Sequence, residues 1–238
     1  MNNQISTVFE IDDAKKMERI CIEAIKTSPW YADAWLALGR SLHLQGYGEQ
    51  AKQALRRACL LAPRAAWIHD IQKLLPTIPD GQRRPYLDKL FSVKNVSVSA
   101  ALIVKNEIRC IARCLNSIVN AVDEIVIVDT GSTDGTVEYI KTFQQQYPQT
   151  KLIHFAWCDD FAAARNAAFP YITSEWVLWV DADEYLSVEE APSIKEAAGL
   201  FDTFPEPVIL TLGNVNHTTT VSGKNSMPLL ILSDDCFL

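Results

Sequence analysis

The sequence predicts a two-part chain, with a small all-helical domain followed by an α/β domain built on a mostly parallel sheet flanked by helices. Two observations predict it. Residues 12–76 carry helical periodicity without strand patterning. From residue 96 onward, apolar runs of strand length alternate with helix-length segments, the mark of βαβ units. Strands alternating with helices of this length indicate a parallel sheet with both faces covered.

Composition narrows the function classes. With 48% hydrophobic and 21% charged residues in 238, the chain is an ordinary globular one, long enough to bury a core without staples. The net charge of −7 argues against a surface that neutralises a phosphate backbone, so nucleic acid is not an expected partner. No run approaches the roughly 18 apolar residues of a membrane span, so no transmembrane segment is expected. The opening MNNQISTVFEIDDAKK lacks the basic-then-apolar pattern of a signal peptide, and the expected location is cytoplasmic. The six cysteines (Cys21, Cys59, Cys110, Cys114, Cys158 and Cys236) form no C-x-x-C and read as buried free thiols.

Taken in order, the first element is a helix through KKMERICIEAIKTSP, ending at Pro29. The stretch AWLALGRSLHLQGYGEQAKQALRRACLLAP follows, with Trp35, Leu38, Gly39, Leu42, Gly46, Ala51, Leu55, Ala58 and Pro63 at fixed offsets. That spacing resembles the tetratricopeptide repeat, with Leu in place of the usual Tyr and Phe. Small residues let two antiparallel helices approach, and Pro63 ends the second. Pro29 precedes Pro63 by one 34-residue period, so a half-length unit should stack on the full one. Residues 1–76 are therefore expected as a tetratricopeptide-like domain, acting as a helical cap or as a module for a protein partner. TIPDGQRRPYLDKLFSVKN, 77–95, reads as a linker.

Residues 96–238 form the expected α/β domain. Its strands are VSVSAALIV (96–104), EIVIV (124–128), KLIHF (151–155), WVLWV (176–180) and PVILTLG (207–213), with helices through IRCIARCLNSIV, TVEYIKTFQQQ and FAAARNAAF. In such sheets ligands bind outside the carboxyl ends of the strands. Three of those exits are acidic: Lys105, Asn106, Glu107 after the first run; Asp129 and TGSTDGT after the second; Asp181, Ala182, Asp183, Glu184 after WVLWV. Carboxylates converging on one crevice repel unless a cation or a hydrogen-bonding ligand sits among them. Alternation on an extended chain would send Asp181 and Asp183 to one side, a donor pair suited to Mg²⁺ or Mn²⁺. The competing explanation for an isolated D-x-D is a cap on the following helix. Asp129 at a strand exit can accept hydrogen bonds from a base or ribose edge. DTGSTDGT by itself is a βα turn with glycines and caps.

The ordered set ALIVKNE, VDEIVIVDTGSTDGT, DDFAAARNAA and WVLWVDADE resembles the inverting glycosyltransferases of family 2, which have the GT-A fold. Within that family it resembles the branch of lipopolysaccharide-core glucosyltransferases and peptide S-glycosyltransferases. The resemblance covers residues 97–190. It implies Glu107 and Asp129 at the nucleoside, the backbone around Val104 lining the base, Asp181 toward the ribose and diphosphate, and Asp183 on the metal, Mg²⁺ or Mn²⁺. Asp160, Arg165 and Asn166 would lie beside the nucleotide. For Arg165 the alternative is a surface ion pair.

The implied reaction moves a sugar from a nucleoside diphosphate sugar, a UDP-sugar by resemblance, to a saccharide, lipid-linked or peptide acceptor. In the family the general base and acceptor loops lie beyond the D-x-D, and only 55 residues follow Asp183 here. Asp234 and Asp235 are weak candidates, so no general base is assigned and a C-terminal truncation is expected. The alternatives are an inactive nucleotide-sugar-binding remnant, a tetratricopeptide interaction protein, and a nucleotidyltransferase. The last would need a glycine-rich basic loop after the first strand, which ALIVKNEIRC lacks. His43, His69, His154 and His217 show no metal spacing, and His154 reads as a strand residue. Trp176 and Trp179 read as core, with Trp157 undecided.

Overall fold

The structure is a computed structural model that describes residues 2–188, 191–202, 208–211 and 230–233, with side chains from residue 12 onward in the first helix. It divides into two compact units, Met1–Val93 and Lys94–Leu238.

The first unit is helical. It runs α1 (Asn2–Thr27), α2 (Ala32–Leu44), α3 (Gly48–Leu61), α4 (Ile68–Leu74) and the short α5 (Asp88–Phe91). Helices α1 and α3 stop two residues before Pro29 and Pro63, so the 34-residue period expected from the prolines is the spacing of two helix ends. Helices α2 and α3 pack closely because Gly39 has no side chain. A Cβ there would lie 2.6 Å from Leu55 Cγ and 3.1 Å from the Ala51 carbonyl. Trp35, Leu38, Leu42, Ala51, Leu55 and Ala58 are buried in the resulting core.

Residues 77–93, expected as linker, pack into this unit. Ile78 and Leu87 are buried in the helical core. Gln50 Nε2 donates to the Arg84 carbonyl at 2.9 Å, and the Arg84 amide donates to Gln50 Oε1 at 2.8 Å. The Arg84 guanidinium pairs with the buried Glu18 of α1 and donates to Gln45 Oε1 at 2.9 Å. Proline and glycine made the stretch irregular, but irregular chain can still bury side chains when its polar groups find partners.

The second unit runs β1 (Val98–Val104), α6 (Ile111–Ile118), β2 (Glu124–Asp129), α7 (Thr136–Gln146), β3 (Thr150–His154), α8 (Phe161–Asn166), β4 (Trp176–Trp179), α9 (Ala191–Phe201), β5 (Ile209–Thr211) and β6 (Leu230–Ser233). The sheet order is β3-β2-β1-β4-β6-β5. Strands β1 to β4 are mutually parallel, while β6 runs antiparallel to β4 and to β5. The mostly parallel sheet flanked by helices is thus as the sequence predicts. Strand β6 is an addition to the strands expected from the sequence, and its place between β4 and β5 is a tertiary choice.

Continuous apolarity follows from two covered faces. Ala100, Leu102 and Val104 of β1 join Ile125 and Ile127 beneath Ile111, Leu115 and Ile118 of α6. The intervening Ala101 points to the other face with Val126, Val128, Val177 and Ala168. At roughly 25 cal/mol per Å² of apolar area removed from water, these two layers dominate the stability of the unit.

Candidate functional site

Parallel register brings four strand exits to one edge. Val104 is level with Asp129, and Asp129 with His154. On the other side of β1, Val180 continues β4 and donates its amide to Ala101 at 3.1 Å. Successive strands β1, β2 and β3 step outward in one direction and β4 returns on the far side of β1. The switch point therefore lies between the exits of β1 and β4, where open α/β sheets bind their ligands. Glu107 follows the first exit and Asp181 and Asp183 follow the second.

Strand β4 ends at Trp179, and the D-x-D occupies a turn closed by the Glu184 amide donating to the Asp181 carbonyl at 3.0 Å. The extended alternation expected there is replaced by a turn. Its outcome is similar, since Ala182 is buried while Asp181 and Asp183 are both exposed. Glu184 Oε2 accepts the Asp181 amide at 3.0 Å, which fixes the turn. Partial burial and the adjacent Asp183 hold the Asp181 carboxyl above the ordinary aspartate range, Arg165 pulls it back, and Glu107 adds to the rise. Pairing of β1 with β4 is what brings Glu107, Asp181 and Asp183 to adjacent exits, within electrostatic reach of one another and of Arg165. Arg165 also lies over the Trp179 ring at 5.8 Å, so it faces the sheet edge.

Glu107 is positioned from the N-cap of α6 and the first residue of α7. Cys110 Sγ donates to Glu107 Oε2 at 3.0 Å, and the Glu107 amide donates to Thr136 Oγ1 at 2.8 Å. Burial, the hydrogen bond to Glu107 and the charges of Glu107 and Asp183 push the Cys110 thiol up to about 11, with Arg109 opposing. It therefore remains a protonated donor to Glu107 near neutral pH. Burial, and then Glu184, Cys110, Asp183 and Asp181, likewise raise Cys114, whose Sγ approaches the Asp181 carbonyl at 3.6 Å. The sequence reads both as buried free thiols, which holds for Cys114, whereas Cys110 is half-buried. Their spacing, with Cys110 at the N-cap of α6 and Cys114 within it, gave no sign that they face the carboxylates.

Asp129 is buried, and its carboxylate organises the following loop. It accepts the Gly131 amide at 3.2 Å and the Ser132 amide at 3.1 Å. Gly131 has φ +100, a conformation that excludes most side chains. The loop is tied to the β1 exit through Asn106, itself at φ 60, whose Oδ1 accepts the Thr133 amide at 2.7 Å. Ser132 Oγ accepts the Asn106 amide at 2.9 Å. His154 Nδ1 lies 3.4 Å from Asp129 Oδ2, with the imidazole largely in solvent. His154 is the strand residue expected, but register also makes it a neighbour of Asp129, a relation visible only once β2 and β3 are paired.

The remaining predicted residues divide. Val104 is the last residue of β1, and its carbonyl accepts the Thr130 amide at 3.0 Å, so that oxygen is engaged by the sheet. Asp160 is the N-cap of α8, Oδ1 accepting the Ala162 and Ala163 amides at 2.8 and 3.1 Å. Asn166 is exposed at the last position of α8. Glu107, Arg165, Asp181 and Asp183 are brought together, with Asp129 one strand away.

A metal fits this donor set. Mg²⁺ and Mn²⁺ take one or two protein carboxylates and fill their other positions with water and ligand phosphates. Asp181 and Asp183 supply such a pair, and their mutual repulsion would be relieved by a cation. Among the described residues, no group of three or more His, Cys, Asp or Glu forms an all-protein cage.

The class that this edge defines is an open α/β domain with an acidic switch point. Residues 99–199 match the family model of Glycosyl transferase family 2, so the α/β unit carries a glycosyl transferase family 2 domain, as the sequence resemblance implies. The SPbeta prophage-derived glycosyltransferase SunS of Bacillus subtilis is 36% identical over 108 residues, 45% of this chain and 25% of that protein. A TPR repeat-containing protein of Synechococcus elongatus is 42% identical over 92 residues, 39% of this chain and 22% of that one. The chain spans about a quarter of the length of these curated relatives. Among solved structures, residues 1–349 of S. aureus TarS in complex with UDP-GlcNAc align over 53% of this chain and 37% of that one. The identity is 25% and the TM-score 0.44. Among the described residues no helix is long and apolar enough to cross a membrane.

Proposed function

We propose that the α/β unit is the donor site of an inverting, metal-assisted glycosyltransferase that uses a UDP-sugar. The observation that carries this reading is the meeting of Glu107, Arg165, Asp181 and Asp183 at the switch point, with Asp129 at the next exit. The glycosyl transferase family 2 match over 99–199 supports it.

In this reading Asp129, fixed by the Gly131 and Ser132 amides, accepts a hydrogen bond from the nucleoside. Glu107, held by the Cys110 thiol, faces the same nucleotide from the β1 exit. Asp183, with Asp181, would hold Mg²⁺ or Mn²⁺, which as a Lewis acid neutralises charge on the departing diphosphate. Arg165 adds a fixed positive charge beside that diphosphate and offsets the carboxylates when the donor leaves. Asp160 orients α8 so that Arg165 and Asn166 lie at its carboxyl end. Direct displacement by a saccharide, lipid-linked or peptide acceptor would invert the anomeric carbon and needs a base to take the acceptor's proton. No residue of this chain is assigned that role.

Isothermal titration with UDP tests the reading. UDP should bind, and Mn²⁺ should tighten it; no binding with or without Mn²⁺ would remove the donor-site assignment.

A further inference from the structure

Strand order places the exit of β2 between those of β1 and β3. Asp129 stands at the middle exit, and the chain leaving each outer strand contributes one side chain across it. Lys105, directly after β1, holds its ammonium 6.0 Å from the centre of the Trp157 ring, three residues after β3. Adjacent strands are about 4.8 Å apart, so the exits of β1 and β3 lie about 10 Å apart and these two side chains reach toward each other from either side of the β2 exit.

Trp157 is held rather than loose. Its indole N–H donates to Asp159 Oδ1 at 2.8 Å, and its ring meets Phe161 edge-on at 4.7 Å between centroids. Asp159 has φ 59, so a left-handed residue sets the turn that presents the ring. Trp157 is half-buried and Phe161 exposed, an arrangement that leaves aromatic surface open at the sheet edge. A core tryptophan would be covered like Trp176, which is 1% exposed. The ammonium on an exposed ring face gains only about 0.5–1 kcal/mol, so a planar ligand can displace it.

We infer that Trp157 is the stacking platform for the donor's nucleobase, a planar heterocycle entering between Lys105 and Trp157 with its polar edge toward Asp129. The inference rests on the donor-site reading above and adds to it the residue that grips the base face. When the base enters, Lys105 is released from the ring toward the acidic crevice and the donor's phosphates.

The test uses the full chain and three probes: UDP, uridine, and inorganic pyrophosphate with Mn²⁺. Trp157→Leu should weaken UDP and uridine about tenfold or more, the effect of losing one base–aromatic stack, and leave pyrophosphate binding unchanged. Trp157→Phe should keep UDP affinity within a few-fold and lose the UDP-dependent change in Trp157 indole fluorescence expected of the unmodified chain. Unchanged UDP affinity in Trp157→Leu would overturn the inference while leaving the donor site standing. Equal weakening of pyrophosphate would also overturn it, because the substitution would then act through the loop's shape. Failure of the unmodified chain to bind UDP would instead overturn the donor-site reading, and this inference with it.

Discussion

At the residue scale, Asp181 and Asp183 differ although they stand in one short motif. Asp181 is tied into the turn through its backbone and lies close to Arg165, whereas Asp183 is exposed beyond the buried Ala182. Asp183→Ala should therefore abolish the Mn²⁺ enhancement of UDP binding while leaving metal-independent binding, as read by titration calorimetry. Retained enhancement would contradict the metal role. Asp129 carries two duties, since the carboxylate proposed to meet the nucleoside also holds the Gly131 and Ser132 amides. Asp129→Ala removes both and should weaken UDP by about tenfold or more, with those amides left to find water.

At the element scale, the helical unit turns on one close approach. Gly39→Val would place a Cβ 2.6 Å from Leu55 Cγ and 3.1 Å from the Ala51 carbonyl. The side chain of Leu55 can move but the backbone of α3 cannot without shifting the helix, so about 1–3 kcal/mol should be lost. A thermal melt of the variant would read this as a lowered transition. Helix α8 gives a sharper discrimination, because Asp160 is both its cap and a residue expected beside the nucleotide. Asp160→Ala should cost about 1 kcal/mol of stability, and Asp160→Ser should restore most of it. If Asp160→Ser restores stability but not UDP affinity, the carboxylate acts on the nucleotide; if it restores both, Asp160 acts only as the cap.

At the scale of the whole molecule, the edge of the sheet opposite the candidate site is held by carboxylates. Glu124 is buried and works against a desolvation cost, but bonds from Lys151, from Ser99 Oγ at 2.5 Å and from the Thr173 amide at 2.6 Å hold its pKa below the ordinary range. Asp202 is lowered in the same way, burial being outweighed by Lys94 and the Trp176 indole N–H. A carboxylate with a depressed folded pKa contributes stability that is present above its unfolded pKa and lost as pH falls through the folded value. The melting temperature should therefore fall on acidification below about pH 4.5. Glu124→Gln should lower stability near neutrality and flatten that dependence, whereas an unchanged slope would show that other groups set the acid limit.

Helices and parallel strands were legible in the sequence because they depend on local periodicity: continuous apolar runs for strands covered on both faces, a 34-residue period marked by Pro29 and Pro63, and motifs at strand exits. Those features determined the α/β class and pointed to Glu107, Asp129, Asp181 and Asp183 at strand exits, while Arg165 was implied by the family resemblance. What only the tertiary structure decided depends on residues distant along the chain. Strand order put Glu107 and the D-x-D at one switch point, and register put His154 against Asp129. The turn into α6 set Cys110, its N-cap, against Glu107, and the Met1–Val93 unit took in residues 77–93, which local composition had marked as linker. The physical reason is common to all four. Hydrophobic patterning specifies which face of an element is buried, but which elements then meet is fixed by strand pairing, packing and the need to satisfy every buried polar group.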